Sequence, residues 1–216
     1  MTGPSRRLPR RVREQQMLDA ATAVFSERGF HAASMDEIAE RAGISKPMVY
    51  LYLGSKGELF SACIRRAGGQ LTEAISAAAD PGLPAEQQLW AAVQAFFGFV
   101  GEHREAWAVM FRQARGEGEF AGEVAGIRRL VVDNVADLFA RAIHSAGAVD
   151  PGPDELRALA HALVGTGESM AEWLLDHPDE KPETAATRLM NMLWMGLGSL
   201  IRGEVWRSPV PVPPAR

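Results

Sequence analysis

Apolar residues recur at helical spacing along almost the whole chain, a pattern compatible with little other than a bundle of helices. Sustained period-two alternation is missing, and so are the Asn-Gly and Asp-Gly pairs that close hairpins. The expected fold class is all-α. Glycine and proline divide the pattern into segments, so the order of helices can be read directly.

Leu18, Ala21 and Phe25, with Met17 and Val24 beside them, predict a first helix over roughly Val12 to Gly29. Gly29 can close it in a left-handed conformation, and Phe30 then tucks into the core. Ser34-Met35-Asp36-Glu37 has the form of a capping box and opens a second helix that buries Met35, Ile38, Ala39 and Ala42 before Gly43. Ser45 is placed to cap a third helix, with Pro47 tolerated in its first turn and Val49 and Leu53 facing inward. Ser55-Lys56-Gly57-Glu58 repeats the capping pattern and starts a fourth helix bearing Leu59 and Cys63. Gly68-Gly69 weakens that helix, either as a kink or as a slack spot.

Past Pro81-Gly82-Leu83-Pro84, a helix is lined by Leu89, Val93, Phe96 and Val100, and Trp90 and Phe97 widen its apolar face. A shorter helix holds Trp107, Met110 and Phe111. Two long ones follow, marked by Ile127, Val131, Val135, Leu138 and Ala142, then by Leu156, Leu159, Leu163, Met170 and Leu174. The last carries Leu189, Leu193, Leu197 and Leu200 on one side and Met190, Trp194 and Ile201 on another. The expected organisation is a basic arm over 1–10, a helix-turn-helix head over 11–71 with its motif at 34–53, a helical body over 72–207, and a Pro-rich tail over 208–216.

Charge separates head from body. Residues 1–66 hold 11 basic and 7 acidic side chains, a balance of +4, and the rest of the chain balances at -8. A basic head on an acidic body predicts that only the head meets a polyanion. The single cysteine, Cys63, excludes an internal disulfide framework and fits a reducing, cytoplasmic setting. Leu189 to Ile201 is too short to span a bilayer, so no membrane is expected among the partners.

The segment Ala42-Gly43-Ile44-Ser45-Lys46-Pro47-Met48-Val49-Tyr50-Leu51-Tyr52-Leu53 reads as the turn and second helix of a helix-turn-helix. With Phe25, Gly29-Phe30, Ser34-Met35, Ile38-Ala39, Lys56 and Leu59-Phe60 at their spacings, it resembles the tetracycline-repressor (TetR) family of transcriptional regulators. The resemblance covers about the N-terminal quarter, with only the helical layout matching beyond it. Two departures stand out: the family commonly has glycine at Pro47 and phenylalanine at Leu53, changes that could alter base preference. The resemblance implies a third helix in the major groove, with Ser34, Ser45, Tyr52 and Lys56 on phosphates and Lys46, Pro47, Met48 and Tyr50 on or near bases. The chemistry agrees, since lysine can donate to guanine O6 or N7 and apolar groups suit a thymine methyl. Arg6, Arg7, Arg10, Arg11 and Arg13 would form a flexible arm, either adding backbone contacts or simply solvated.

No nucleophile, phosphate loop or cysteine metal cluster is visible, so neither enzyme activity nor a cofactor or metal is expected. His161, Glu168 and Glu172 recur at helical spacing, which suits a solvated or hydrogen-bonded face better than a metal site. Phe97, Trp107, Met110, Phe111, Phe139, Met170 and Trp173 are candidates for an effector pocket, the resemblance favouring one, though for any one of them plain core packing is the better account. A final helix apolar around most of its circumference needs cover on two sides, which predicts a homodimer through Leu163, Gly167, Leu174, Leu193, Leu197 and Ile201. Gly165, Gly167, Gly196 and Gly198 would let backbones approach closely.

The expected function is a one-component, homodimeric regulator, a repressor released from an inverted-repeat operator by a small apolar or amphipathic ligand. Three alternatives stay open: an activator on the same scaffold, a ligand-binding or enzymatic bundle that has lost DNA binding, and an adaptor acting through the Pro-rich tail.

Overall fold

A computed structural model describes residues 9–145, 147 and 149–201, the last eight by backbone alone. The Pro-rich tail, Arg6 and Arg7, and the side chains of Leu197 and Ile201 lie outside the described residues. Among the described residues there are nine α-helices, one π-helical turn and no strand. The helices are α1 (Arg10–Ala32), α2 (Met35–Arg41), α3 (Lys46–Leu53), α4 (Lys56–Ala78), α5 (Ala85–Glu102), α6 (Arg104–Trp107), α7 (Ala121–Ser145), α8 (Pro153–Asp176) and α9 (Pro182–Ile201). The π-helical turn, Ala108–Gln113, continues directly from α6 where the sequence suggested one short ordinary helix. No helix among the described residues is long and apolar enough to cross a membrane.

The chain falls into two compact units. One comprises the chain up to Ala74 together with Phe99–Leu130; the other comprises Ile75–Gly98 and the chain from Val131 onward. Thus α6, the π-helical turn and the start of α7 cluster with the head.

The core of the first unit is an aromatic cluster. Phe60 lies 4.9 Å from Phe25, 5.0 Å from Phe30 and 4.7 Å from Phe120, measured between ring centroids. The rings meet edge-on or tilted, the arrangement their quadrupoles favour. Phe30 reaches the cluster because Gly29 interrupts α1 with φ +79° and ψ 163°, a conformation essentially reserved for glycine. Gln113 ties the π-helical turn to the same place, its Nε2 donating to Phe25 O at 2.7 Å. Helix α4 runs unbroken through Gly68-Gly69, and a Cβ on Gly68 would collide with the Ile127 side chain, so this glycine serves close approach. Cys63 is buried in the same core, and burial pushes its thiol up to about 11.

In the second unit, Leu89, Val93 and Phe97 of α5, Leu138, Phe139 and Ile143 of α7, Leu156, Leu163 and Leu174 of α8, and Leu189 of α9 are all buried. A Cβ placed on Gly167 would make ordinary contact with Phe96 and Leu189, at 3.6 and 3.8 Å.

Candidate nucleic-acid interface

The turn between α2 and α3 is built by backbone chemistry that needs one glycine. Ile44 N–H donates to Ala39 O and Gly43 N–H to Glu40 O, both at 3.0 Å, and Gly43 takes φ +66°. This is a Schellman closure, which satisfies the last carbonyls of α2 and turns the chain sharply. Ser45 then caps α3 with its backbone only: its carbonyl accepts from Met48 N at 2.9 Å, and its hydroxyl makes no capping bond. The expected side-chain cap is therefore not formed, which leaves that hydroxyl clear of helix duty.

At Ser34 the hydroxyl does cap, accepting from Asp36 N at 3.1 Å. The reciprocal half of the expected capping box is replaced by an ion pair, since Glu37 accepts from Arg28 at 3.3 Å. Ser55 and Glu58 form a full box: Ser55 N–H donates to the Glu58 carboxylate at 2.7 Å, and Glu58 N–H donates to Ser55 Oγ at 3.2 Å. The Ser55 amide holds the Glu58 carboxyl below the usual carboxylate range. Helix α2 is fixed against α1 by a bidentate pair, Arg41 to Glu27 at 2.7 and 2.9 Å. Hydrogen bonding within that pair lowers the Glu27 carboxyl and raises the Arg41 guanidinium.

Helix α3 is anchored by Val49, which is fully buried. Leu53 and Ala42, expected to be buried, are half-buried. The opposite edge faces solvent: Ser45, Lys46, Pro47 and Tyr50 are exposed, as is Ser34, while Met48, Tyr52 and Lys56 are half-buried. Leu51, which the sequence reading did not single out, is the most exposed large apolar group of this helix at 74%. Counting around the helix from buried Val49 would have found it.

Two cations on this edge have structural partners. Lys46 Nζ donates to Asp36 Oδ2 at 2.9 Å, and that carboxylate raises the Lys46 ammonium above its ordinary value. Lys56 Nζ donates to His31 O and Ala33 O, both at 2.9 Å, and lies 5.0 Å from the Phe30 ring. It commits two of its three donors to the end of α1 and the residue that follows it. Arg10, Arg11 and Arg13 stand in α1 and not in a flexible arm, with the Arg10 guanidinium 5.4 Å from the Tyr52 ring.

The residues expected to form an effector pocket divide between the units. Trp107, Met110 and Phe111 are buried in the first, where Trp107 stacks on Phe111 at 3.9 Å. Phe97 and Phe139 are buried in the second, and Met170 is half-buried there. Trp173 is 38% exposed and stacked on His177 at 4.1 Å. The second unit holds a small apolar cleft of about 70 Å³ bounded by other side chains, among them Leu89, Val93, Phe96, Val135, Leu163 and Leu189. Of the residues expected between two copies, Leu163, Gly167 and Leu174 are buried inside the single chain, and Leu193 is half-buried. Met192 is 55% exposed on α9. No group of three His, Cys, Asp or Glu side chains among the described residues could hold a metal ion.

Comparison with known proteins identifies the scaffold. The family described as bacterial regulatory proteins, tetR family, matches residues 17–63, and the tetracyclin repressor-like C-terminal domain matches residues 85–196. The transcriptional activator FasR of Mycolicibacterium smegmatis is 36% identical over 88% of this chain and 85% of its own length. A TetR-like transcriptional regulator from Rhodococcus sp. RHA1, solved by crystallography, is 46% identical with a TM-score of 0.75, covering 89% of this chain and 99% of that one. The regulator FadR of Bacillus subtilis, solved with stearoyl-CoA, shares the fold with a TM-score of 0.74 at 18% identity, covering 83% and 96%.

Proposed function

Because the chain belongs to the TetR family of DNA-binding transcriptional regulators, we propose that it binds an inverted-repeat operator as a homodimer and leaves it when a ligand with a hydrocarbon chain occupies the body. The exposed edge of α3 carries this reading. Lys46, Pro47 and Tyr50 are exposed on a helix held by one buried residue, Val49, and by a glycine turn. Such an edge offers a cation, a phenol and apolar surface to a groove. Ser34, Ser45, Tyr52 and Lys56 would hold the flanking phosphates, Ser45 with a hydroxyl not used in capping. Two copies would read half-sites about one helical turn apart.

The wholly apolar cleft supports the choice of ligand class. At about 70 Å³ it admits the end of an acyl chain only if the surrounding helices part, and that movement would transmit occupancy. The FadR structure solved with stearoyl-CoA gives a reason to begin with long-chain acyl thioesters. Repression needs only occupancy of a promoter by the dimer. A second reading, activation, is favoured by the similarity to FasR over 88% of this chain, since FasR is named an activator.

Gel retardation of the chain's own upstream intergenic DNA tests the interface. Tyr50→Ala and Lys46→Ala should each weaken binding at least several-fold, and unchanged affinity in both would remove the assigned edge. Adding stearoyl-CoA should release the fragment, and a promoter fusion in cells lacking the protein decides between rise and fall of expression.

A further inference from the structure

An acidic side chain stands where a DNA-facing surface should have none. Asp36 is 70% exposed, on α2 beside the recognition edge, in a head whose net charge is positive. Near phosphates an exposed carboxylate is repelled, so its presence needs a counterpart. Its Oδ2 accepts from Lys46 Nζ at 2.9 Å, with Lys46 itself 43% exposed, so one donor and one acceptor are presented side by side.

We propose that Asp36 and Lys46 act as a single base-reading unit for a G·C pair, with Asp36 as a specificity-determining residue. This rests on the placement of α3 against DNA. In the major groove, guanine shows N7 and O6 as adjacent acceptors, and the paired cytosine shows N4 as a donor. O6 and N4 are hydrogen-bonded to each other within the pair, so they stand one hydrogen-bond length apart. Lys46 and Asp36 stand one hydrogen-bond length apart as well. The ammonium can bridge N7 and O6 while the carboxylate accepts from N4. An A·T pair offers the ammonium no two adjacent acceptors, and its thymine methyl adds an apolar group beside the ion pair. The carboxylate also holds the long lysine side chain in place, which reduces the freedom lost on docking.

The alternative role of Asp36 is structural, as an acidic residue in the first turn of α2. That role would change stability and would not select a base. The test is therefore enrichment of bound DNA from a random pool by the full chain, wild type, Asp36→Ala and Asp36→Asn, followed by competition between the enriched site and the same site with one symmetric G·C pair changed to A·T. The wild type should discriminate at that pair by roughly 5- to 150-fold, as one good base contact does. Asp36→Ala should lose that discrimination while retaining the rest of the enriched pattern. Asp36→Asn, whose amide can pair with adenine, should lose it or shift it to A·T. If the wild type enriches no sequence, the DNA-facing placement of α3 fails. If the wild type enriches a site and both variants enrich the same one with equal discrimination, the placement stands and this inference is overturned.

Discussion

Lys56 is expected to hold the head together as well as to meet DNA, and Lys56→Ala separates the two. Its ammonium donates to the carbonyls of His31, in the last turn of α1, and Ala33, between α1 and α2, and its charge lies 5.0 Å from the Phe30 ring. Hydrogen bonds from a charged donor are worth about 1.5–3 kcal/mol each when well shielded. Lys56 is half-buried, so the lower end applies, and the pair should contribute about 2–3 kcal/mol in all. For a chain of 216 residues this corresponds to a fall in Tm of roughly 4–12 °C. Differential scanning calorimetry reads that number directly. A melt within 1 °C or so of wild type would refute the clamp, because two lost charged bonds cannot be that cheap. DNA binding gives the second readout: loss of a phosphate contact lowers the salt slope of log K by about 0.9, whereas a clamp alone lowers affinity at unchanged slope.

Three further outcomes follow from local geometry. Gly54→Ala meets φ +72° and the Glu58 carboxylate together, so it should cost about 1–3 kcal/mol by urea unfolding and break the Ser55–Glu58 box. Gly68→Ala places a methyl against Ile127; overpacking of about 1–3 kcal/mol, offset by about 1 kcal/mol of helix propensity, predicts mild destabilisation that Ile127→Ala relieves in a double-mutant cycle. Glu58 titrates lower folded than unfolded, so its stabilisation is complete above the ordinary carboxylate range and is lost as pH falls through the folded value. Glu58→Gln should therefore be less stable than wild type at neutral pH and should lose less stability on acidification through that range; parallel pH curves would contradict the box.

Much of the head was legible because its determinants are local. A glycine at the end of α2, a proline in the first turn of α3 and Ser-x-x-Glu before α4 each act on backbone groups within a few residues. The side-chain half of those signals was less secure: Glu37 turned to Arg28, and the Ser45 hydroxyl made no cap. An ion pair with a partner nine residues away competes with a cap three residues away, and nothing in the local sequence ranks them. The body was legible as helices and not as a site. Trp107 and Trp173 look alike as apolar members of a stripe, yet one is fully buried and the other 38% exposed.

By itself, then, the order of residues determined that this chain is helical, where α2, α3 and α4 begin in the head, and which edge of α3 turns away from Val49. These follow from periodicity, from glycine's freedom at positive φ and from capping, all short-range effects. Only the tertiary structure decided that Phe120 and Gln113 bind the α1 end of the head, that Gly68 yields to Ile127, and that Asp36 stands beside Lys46. Those contacts join residues remote in sequence, or on separate helices, whose meeting depends on how whole helices are oriented, and a helical period specifies a buried face without specifying what buries it.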